Sequence, residues 1–292
     1  MVKHLSLDSI TSTGVEATSM RLLLAPLVSM ILAVGVVAYV LFLAYLPETP
    51  PRRVEPATGV VTENYVLLPL PRPISNVSVE EAILRRRSIR DYTEEPVPLE
   101  HLSLILWATQ GITDPVYKLR AAPSAGATYP LEVYVVVGER GVLVRDGVYL
   151  RAGVYKYLVN EHALLLIKSG DFRAELERAA LNQRWVGSAP VSIVITAVYE
   201  RTTARYGERG ATRYVPMEAG HAGQNLYLMA TALGYGTVAV GAFYDHMVLE
   251  IIGAGEKETP LYIYPIGVPQ RPVTTRFEDI WSVIERARGA GA

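Results

Sequence analysis

The chain has no cysteine. That absence removes disulfides, thiolate metal sites, iron–sulfur clusters and a cysteine nucleophile, and it leaves the redox compartment unreadable. Net charge is nearly absent as well, at −1 over 292 residues, which argues against a nucleic-acid binder working through bulk positive charge. No alternation of aromatic and basic residues offers a platform for stacking bases. Lysine is scarce: of the 28 basic residues only five are lysine, so nearly all the positive charge is guanidinium. What remains is a chain without internal repeats, 50% hydrophobic, long enough for one sizeable core or two small ones.

Charge is missing altogether from Leu22 to Leu46, a run of 25 residues. About 20 apolar residues in a helix span a bilayer core, so this run is expected to be a transmembrane helix, with Tyr39 and Tyr45 at an interface. A cleaved signal peptide has a shorter apolar region, roughly 7–15 residues, followed by a small-residue cleavage site. "LAYLPETPP" is a poor site, so a single-pass membrane anchor is expected. Lys3 and Arg21 precede the run while Arg52 and Arg53 follow it, which leaves the side of the soluble part open. Seven prolines between Pro47 and Pro73 mark an extended, semi-rigid segment. The expected organisation is an N-terminal tail (1–21), a membrane helix (22–46), a Pro-rich linker (47–74) and one folded domain (75–292).

Within that domain Ser78-x-x-Glu81 is a capping box, predicting a short helix from about Val79 to Arg87. "PLEHLSLILWATQG" has a proline start, apolar positions at helical spacing and a glycine stop. "LEVYVVV" and "VSIVITAVY" are β-branched runs expected as buried strands, and "GVYLRAGVYKYLV" alternates like an antiparallel hairpin. "DFRAELERAALNQ" is expected to be helical, and "PMEAGHAGQNLYLMATALG" is expected as a long helix in the middle of the domain. "TVAVGAF", a short helix from Asp245 and the strand "LYIYPIGV" complete the core. The tail "FEDIWSVIERA" aligns Phe277, Ile280, Trp281 and Ile284 on one helical face. The pattern predicts an α+β domain with a central mixed or antiparallel sheet flanked by helices.

Three stretches are rich in possible chemistry. "RRRSIR" places four arginines within six positions around Ser88. Arg85, Arg86 and Arg87 suit the last turn of a helix, where cations favour the dipole. Ser88 and Arg90 lie beyond that turn and suit a bidentate phosphate socket instead. In "RAAPSAGATYP", the small residues Ser124, Ala125, Gly126 and Ala127 suit either a tight turn or a close approach of backbone to something flat. In "PMEAGH", Glu218 and His221 are one helical turn apart. Without HExxH or a third ligand nearby no metal is expected, and His221 is read as packed or hydrogen-bonded.

Taken in order, "LLPLPRP", "RRRSIRDY", "LILWATQG", "APSAGATYPLEVYVV", "YGERGATRYVPMEAGHAGQNLYLMATALG" and "GAFYD" resemble the SagB-type dehydrogenases of the FMN-dependent nitroreductase superfamily, over about residues 65 to 272. The resemblance implies a nitroreductase-like fold and a homodimer holding FMN at two sites, each built from both protomers. It implies that Arg86, Arg87 and Ser88, joined by Arg271, hold the FMN phosphate and that Arg90 stands near the pyrimidine edge. The Pro123–Ala127 turn (Pro123, Ser124, Ala125, Gly126) would reach the flavin of the other protomer, and Gln183 would bond the pyrimidine ring. Gly241 and Ala242 would present backbone towards flavin N5. Dimer contacts are expected from the tail helix and from "EAGHAGQNL".

SagB-type enzymes oxidise thiazoline and oxazoline rings in peptides, with a Lys-Tyr pair handling protons. Here the matching pair is Arg205-Tyr206. Arginine keeps its proton throughout the physiological range, so Arg205 is able only to orient or to stabilise charge. Tyr206 is open to two readings, an acid–base group or one more surface tyrosine. The implied function is a membrane-anchored, FMN-dependent oxidoreductase dehydrogenating a ring in a peptide or small molecule. Two alternatives stand beside it: an NAD(P)H-dependent reductase of nitro compounds, quinones or flavins, and a non-catalytic flavin-binding or scaffold protein.

Overall fold

The computed structural model describes residues 61–289. The apolar run 22–46, expected to span a membrane, lies outside them, and among the described residues no helix is long and apolar enough to cross one. Two β-branched segments become the centre of the sheet because they are apolar at nearly every position, Glu132, Ser192 and Thr196 being the exceptions. In β3 (Leu131–Val137), Val133, Val135 and Val137 face one core while Tyr134 and Val136 face the other. β8 (Val191–Val198) divides likewise, with Ile193 and Ile195 on the first side and Val194 on the second. A strand buried on both faces reads as a nearly continuous hydrophobic run, the period of two being hidden in it.

Around this pair lie β1 (Tyr65–Leu67), β6 (Gly153–Leu158), β7 (Ala163–Ser169), β9 (Gly236–Thr237) and β10 (Glu258–Gly267). The seven strands run in the order β1-β7-β6-β3-β8-β10-β9, and every pairing is antiparallel. β2 (Val97–Pro98), β4 (Val142–Arg145) and β5 (Val148–Tyr149) form a small second sheet. The helices Leu99–Gln110 and Val215–Ala232 contribute to the core on one face of the main sheet. Arg173–Ala179, Arg184–Ser188 and Asp245–Ile252 contribute to the core on the other.

Two expectations are corrected. The stretch read as a Pro-rich linker up to residue 74 contains β1, which pairs with β7 at the sheet edge and buries Val66 and Leu68. "GVYLRAGVYKYLV" is not one hairpin. Val148–Tyr149 pairs with β4 in the small sheet, and Gly153–Leu158 turns instead into β7. Alternation marks both halves as strands but carries no information about partners. The capping box forms as read, with Ser78 accepting from the Glu81 N–H, and the helix stops at Arg85 rather than Arg87. The tail helix Phe277–Gly289 forms and buries none of its residues.

Candidate functional site

The four arginines divide by what they touch. Arg85 pairs with Glu81 one turn back at 3.1 Å, an ordinary helix-surface contact. Arg87 Nη1 donates to the carbonyls of Leu84 and Arg86 at 2.8 and 2.7 Å, so it closes its own helix end. Arg86 and Arg90 do neither. Arg86 lies over the Tyr227 ring at 5.2 Å and Arg90 over the Trp185 ring at 5.3 Å. Among the described residues no carboxylate comes within ion-pair distance of either. Aromatic faces hold a guanidinium without neutralising it, so its charge stays available to an anion.

Tyr227 organises this cluster, and the sequence reading missed it. Its hydroxyl accepts from the Ala239 N–H at 2.8 Å and lies 3.1 Å from Ser88 Oγ. With one oxygen lone pair taken by Ala239, Tyr227 is able to donate to Ser88, which leaves the serine hydrogen for a ligand. The Ile89 N–H donates to the Thr237 carbonyl at 2.9 Å, laying this segment against β9. Gly236 is required there, since a Cβ would stand 2.6 Å from Ile89. The chain then runs to Gly241 and Ala242, both exposed, with open space above Gly241 where a Cβ would meet nothing closer than 4.0 Å.

Gln183 joins the same region: its Nε2 donates to the carbonyls of Ala180 and Ala242, both at 2.9 Å. The Gln270 N–H donates to the Asp91 carbonyl at 3.1 Å, which brings the exposed Arg271 beside the Arg90 segment. A groove of about 750 Å³ opens between Arg90, Asp91, Gln183, Trp185 and Gln270. Trp185 Nε1 is buried in its wall without a hydrogen-bond partner among the described residues. Leu181 and Asn182 in the same wall both take left-handed backbone, at φ 58°. Two such non-glycine residues in succession are costly and gather at binding sites.

The second cluster is separate. Ser124 Oγ accepts from the Tyr129 N–H at 2.9 Å and closes a turn in which Gly126, Ala127 and Tyr129 have φ of 60°, 53° and 44°. Arg205 and Tyr206 pack against that turn: a Cβ on Gly126 would stand 2.5 Å from Tyr206 Oη and 2.8 Å from Arg205 Nη1. The small-residue turn and the expected proton-handling pair therefore meet in one place. Behind the turn Glu218 is buried, and burial pushes its carboxyl up to about 7 against the pull of the Ser124 hydroxyl, the Gln110 carboxamide and the Arg120 guanidinium. His221, expected to be packed or hydrogen-bonded, is exposed instead, one helical turn from the buried Glu218. Among the described residues no group of acidic and histidine side chains could hold a metal.

The fold is an α+β domain built on an antiparallel main sheet, with guanidiniums beside a helix end that no carboxylate pairs among the described residues. Residues 83–268 match the nitroreductase family model, and the chain belongs to the nitroreductase family, as an oxidoreductase. A Methanocaldococcus jannaschii protein named as a nitroreductase is 47% identical over 194 residues, spanning 66% of this chain and 92% of its own. The trifolitoxin operon protein TfxC of Rhizobium leguminosarum is 25% identical over 208 residues, and the match spans 67% of this chain and 57% of TfxC. A crystal structure from Ralstonia eutropha, also named as a nitroreductase, superposes with a TM-score of 0.61 at 27% identity, over 73% of this chain and 93% of that one. Family members are generally FMN-dependent and typically dimeric.

Proposed function

We propose that this chain is an FMN-dependent dehydrogenase of SagB type, acting on a ring in a peptide or small molecule. The observation that carries the cofactor is the pair Arg86 and Arg90, unpaired with carboxylates among the described residues and flanking Ser88, whose hydroxyl lies 3.1 Å from that of Tyr227. The donor set fits an FMN: guanidiniums and a hydroxyl suit its phosphate, and a polar groove with an orphaned Trp185 N–H suits a hydrogen-bonding ring. Arg86, Ser88 and Arg271 would hold the phosphate, with Arg87 in a lesser part because its guanidinium already serves the helix end. Arg90 and Gln183 would meet the ring, and Gly241 with Ala242 would leave its reactive side open. Bound FMN supplies the two-electron acceptor that no side chain of this protein offers.

The peptide reading is supported by TfxC, named as a trifolitoxin operon protein, and by a second Rhizobium leguminosarum relative named as a trifolitoxin-processing protein. A reductase running on NAD(P)H stays the second reading, supported by the relatives named as nitroreductases. Among the described residues no hydrogen bond or ion pair joins the Arg86 cluster to the Pro123–Ala127 turn, which favours a homodimer in which each turn serves the other protomer's flavin. Val79 and Ile83, 66% and 56% exposed, and Trp281 of the tail helix, 53% exposed, offer apolar surface for such an interface. The run 22–46 would tether the enzyme to a bilayer.

The test is a visible spectrum of the purified full chain beside Arg86→Ala. Flavin bands are expected in the first, and FMN affinity roughly 10- to 100-fold weaker in the second, as suits loss of a charge-assisted hydrogen bond. A colourless chain that takes up no added FMN defeats the reading.

A further inference from the structure

We propose that Glu218 and Ser124 form a proton relay from the interior of the long helix to the exposed face of the Pro123–Ala127 turn, in the base role closed to Arg205. The inference rests on the dehydrogenase reading and names the group that receives its proton.

Glu218 is only 3% exposed, and its Oε1 has no hydrogen-bond partner among the described residues. Gln110, in the adjoining helix, is equally buried and its Nε2 is also unpartnered. A buried carboxylate oxygen without a partner is costly, and carrying a proton removes most of that cost. The charged and polar groups that face Glu218 are Arg120, Gln110 and Ser124. Arg120 does not neutralise it fully. That guanidinium donates to Gln110 Oε1 at 3.3 Å, stacks on the Tyr129 ring at 4.4 Å, and is shared with Glu132, which also holds Arg201 and Lys156. Burial leaves the carboxyl titrating at about 7, where both proton acceptance and release are easy.

Ser124 stands next to this acid, half-buried beneath the turn. The Tyr129 N–H fills one lone pair of its oxygen, so its hydrogen is free to point inward to Glu218. The turn it closes carries Gly126, against which the Tyr206 hydroxyl packs. In a ring dehydrogenation the substrate proton passes to Ser124 Oγ as the serine hydrogen passes to the Glu218 carboxylate. The electron pair departs separately, as hydride, to an oxidised flavin. Ser124 ends as a hydroxyl and Glu218 as a neutral carboxyl, which returns its proton to solvent by the same path. Glu218 thus acts through Ser124, as a positioning and proton-holding residue.

The experiment uses the full chain, Glu218→Gln and Ser124→Ala. Infrared spectra across about pH 5 to 9 read the protonated-carboxyl stretch directly, without turnover. A band is expected in the wild type, titrating near pH 7, absent from Glu218→Gln, and displaced in midpoint in Ser124→Ala. In parallel, a synthetic thiazoline dipeptide serves as donor and flavin bleaching is followed without air. Wild-type bleaching is expected to quicken as pH rises through 7, and Glu218→Gln to be about tenfold slower or worse with no such dependence, while retaining FMN. Equal bleaching by Glu218→Gln, or a carboxyl band unchanged in both variants, overturns the relay. An intact infrared signature without wild-type bleaching supports the relay and overturns the ring-dehydrogenase reading instead.

Discussion

The two clusters share one helix and oppose each other in design. Tyr227 and Glu218 are nine positions apart on Val215–Ala232, about 13 Å along the axis at 1.5 Å per residue. Around Tyr227 positive charge is left exposed with no counter-charge, held in place by aromatic rings. Around Glu218 a carboxyl is buried with incomplete pairing, beside hydroxyl and carboxamide groups. The first arrangement favours an anion arriving from solvent. The second favours a proton arriving from within reach of the surface. One helix therefore separates the proposed cofactor socket from the proposed proton relay, so that each can be altered without the other.

The largest expected effect tests the buried end through stability. A carboxyl raised from 4.5 to about 7 binds its proton more tightly folded than unfolded. The wild type then loses stability as pH rises from about 4.5 to 7 and is level above that, by up to about 3 kcal/mol from this group alone. Glu218→Gln lacks that slope. Urea unfolding of both proteins at acid and mildly alkaline pH should show the variant gaining on the wild type as pH rises. Parallel curves would mean that Glu218 is ionised throughout and that the two ends are more alike than their surroundings suggest.

The exposed end was the more legible in sequence, and the reason is local. "RRRSIR" is a contiguous signal, so Ser88 and Arg90 stood out from spacing and residue type, while Arg86 joined them only through the family resemblance. What sequence could not resolve was which arginine does what, because that depends on ring positions supplied by Trp185 and Tyr227, far along the chain. Tyr227 hides inside an amphipathic helical run, where an aromatic reads as core. Glu218 was seen only as half of an incomplete metal pair, because nothing in "PMEAGH" reveals that Gln110 and Ser124 close over it. The fold followed the same rule. Long apolar strands and capped helices were readable, whereas β1 was hidden among prolines and the pairing of Gly153–Leu158 with β7 is a choice of partner that alternation does not encode.

The next effect is smaller and sharpens the exposed end. Tyr227→Phe removes the hydroxyl shared by Ser88 and Ala239 and leaves the Ala239 N–H without its acceptor. A stability loss of about 1–2 kcal/mol is expected, with FMN binding weakened only several-fold because the ring beneath Arg86 remains. Thermal unfolding and a fluorescence titration with FMN measure the two separately. A collapse of FMN binding as deep as that of Arg86→Ala would make the hydroxyl, rather than the guanidinium, the centre of the socket.

The smallest effect divides neighbours within the arginine run itself. Arg87 already donates to two carbonyls at its own helix end, so its removal should cost the fold about 0.5 kcal/mol and FMN affinity less than about threefold. Arg86, one residue away, makes no such bonds and should carry most of the loss. The measurement is the same FMN titration on both alanine variants, read against the wild type in low and moderate salt. Equal losses would show that the guanidinium of Arg87 leaves its carbonyls when the phosphate binds, and the division between helix end and anion socket would then hold only for the unliganded chain. Unequal losses, with the steeper salt dependence confined to Arg86, would show that two adjacent arginines of identical chemistry are separated in function by geometry alone: one faces its own backbone, the other an open site.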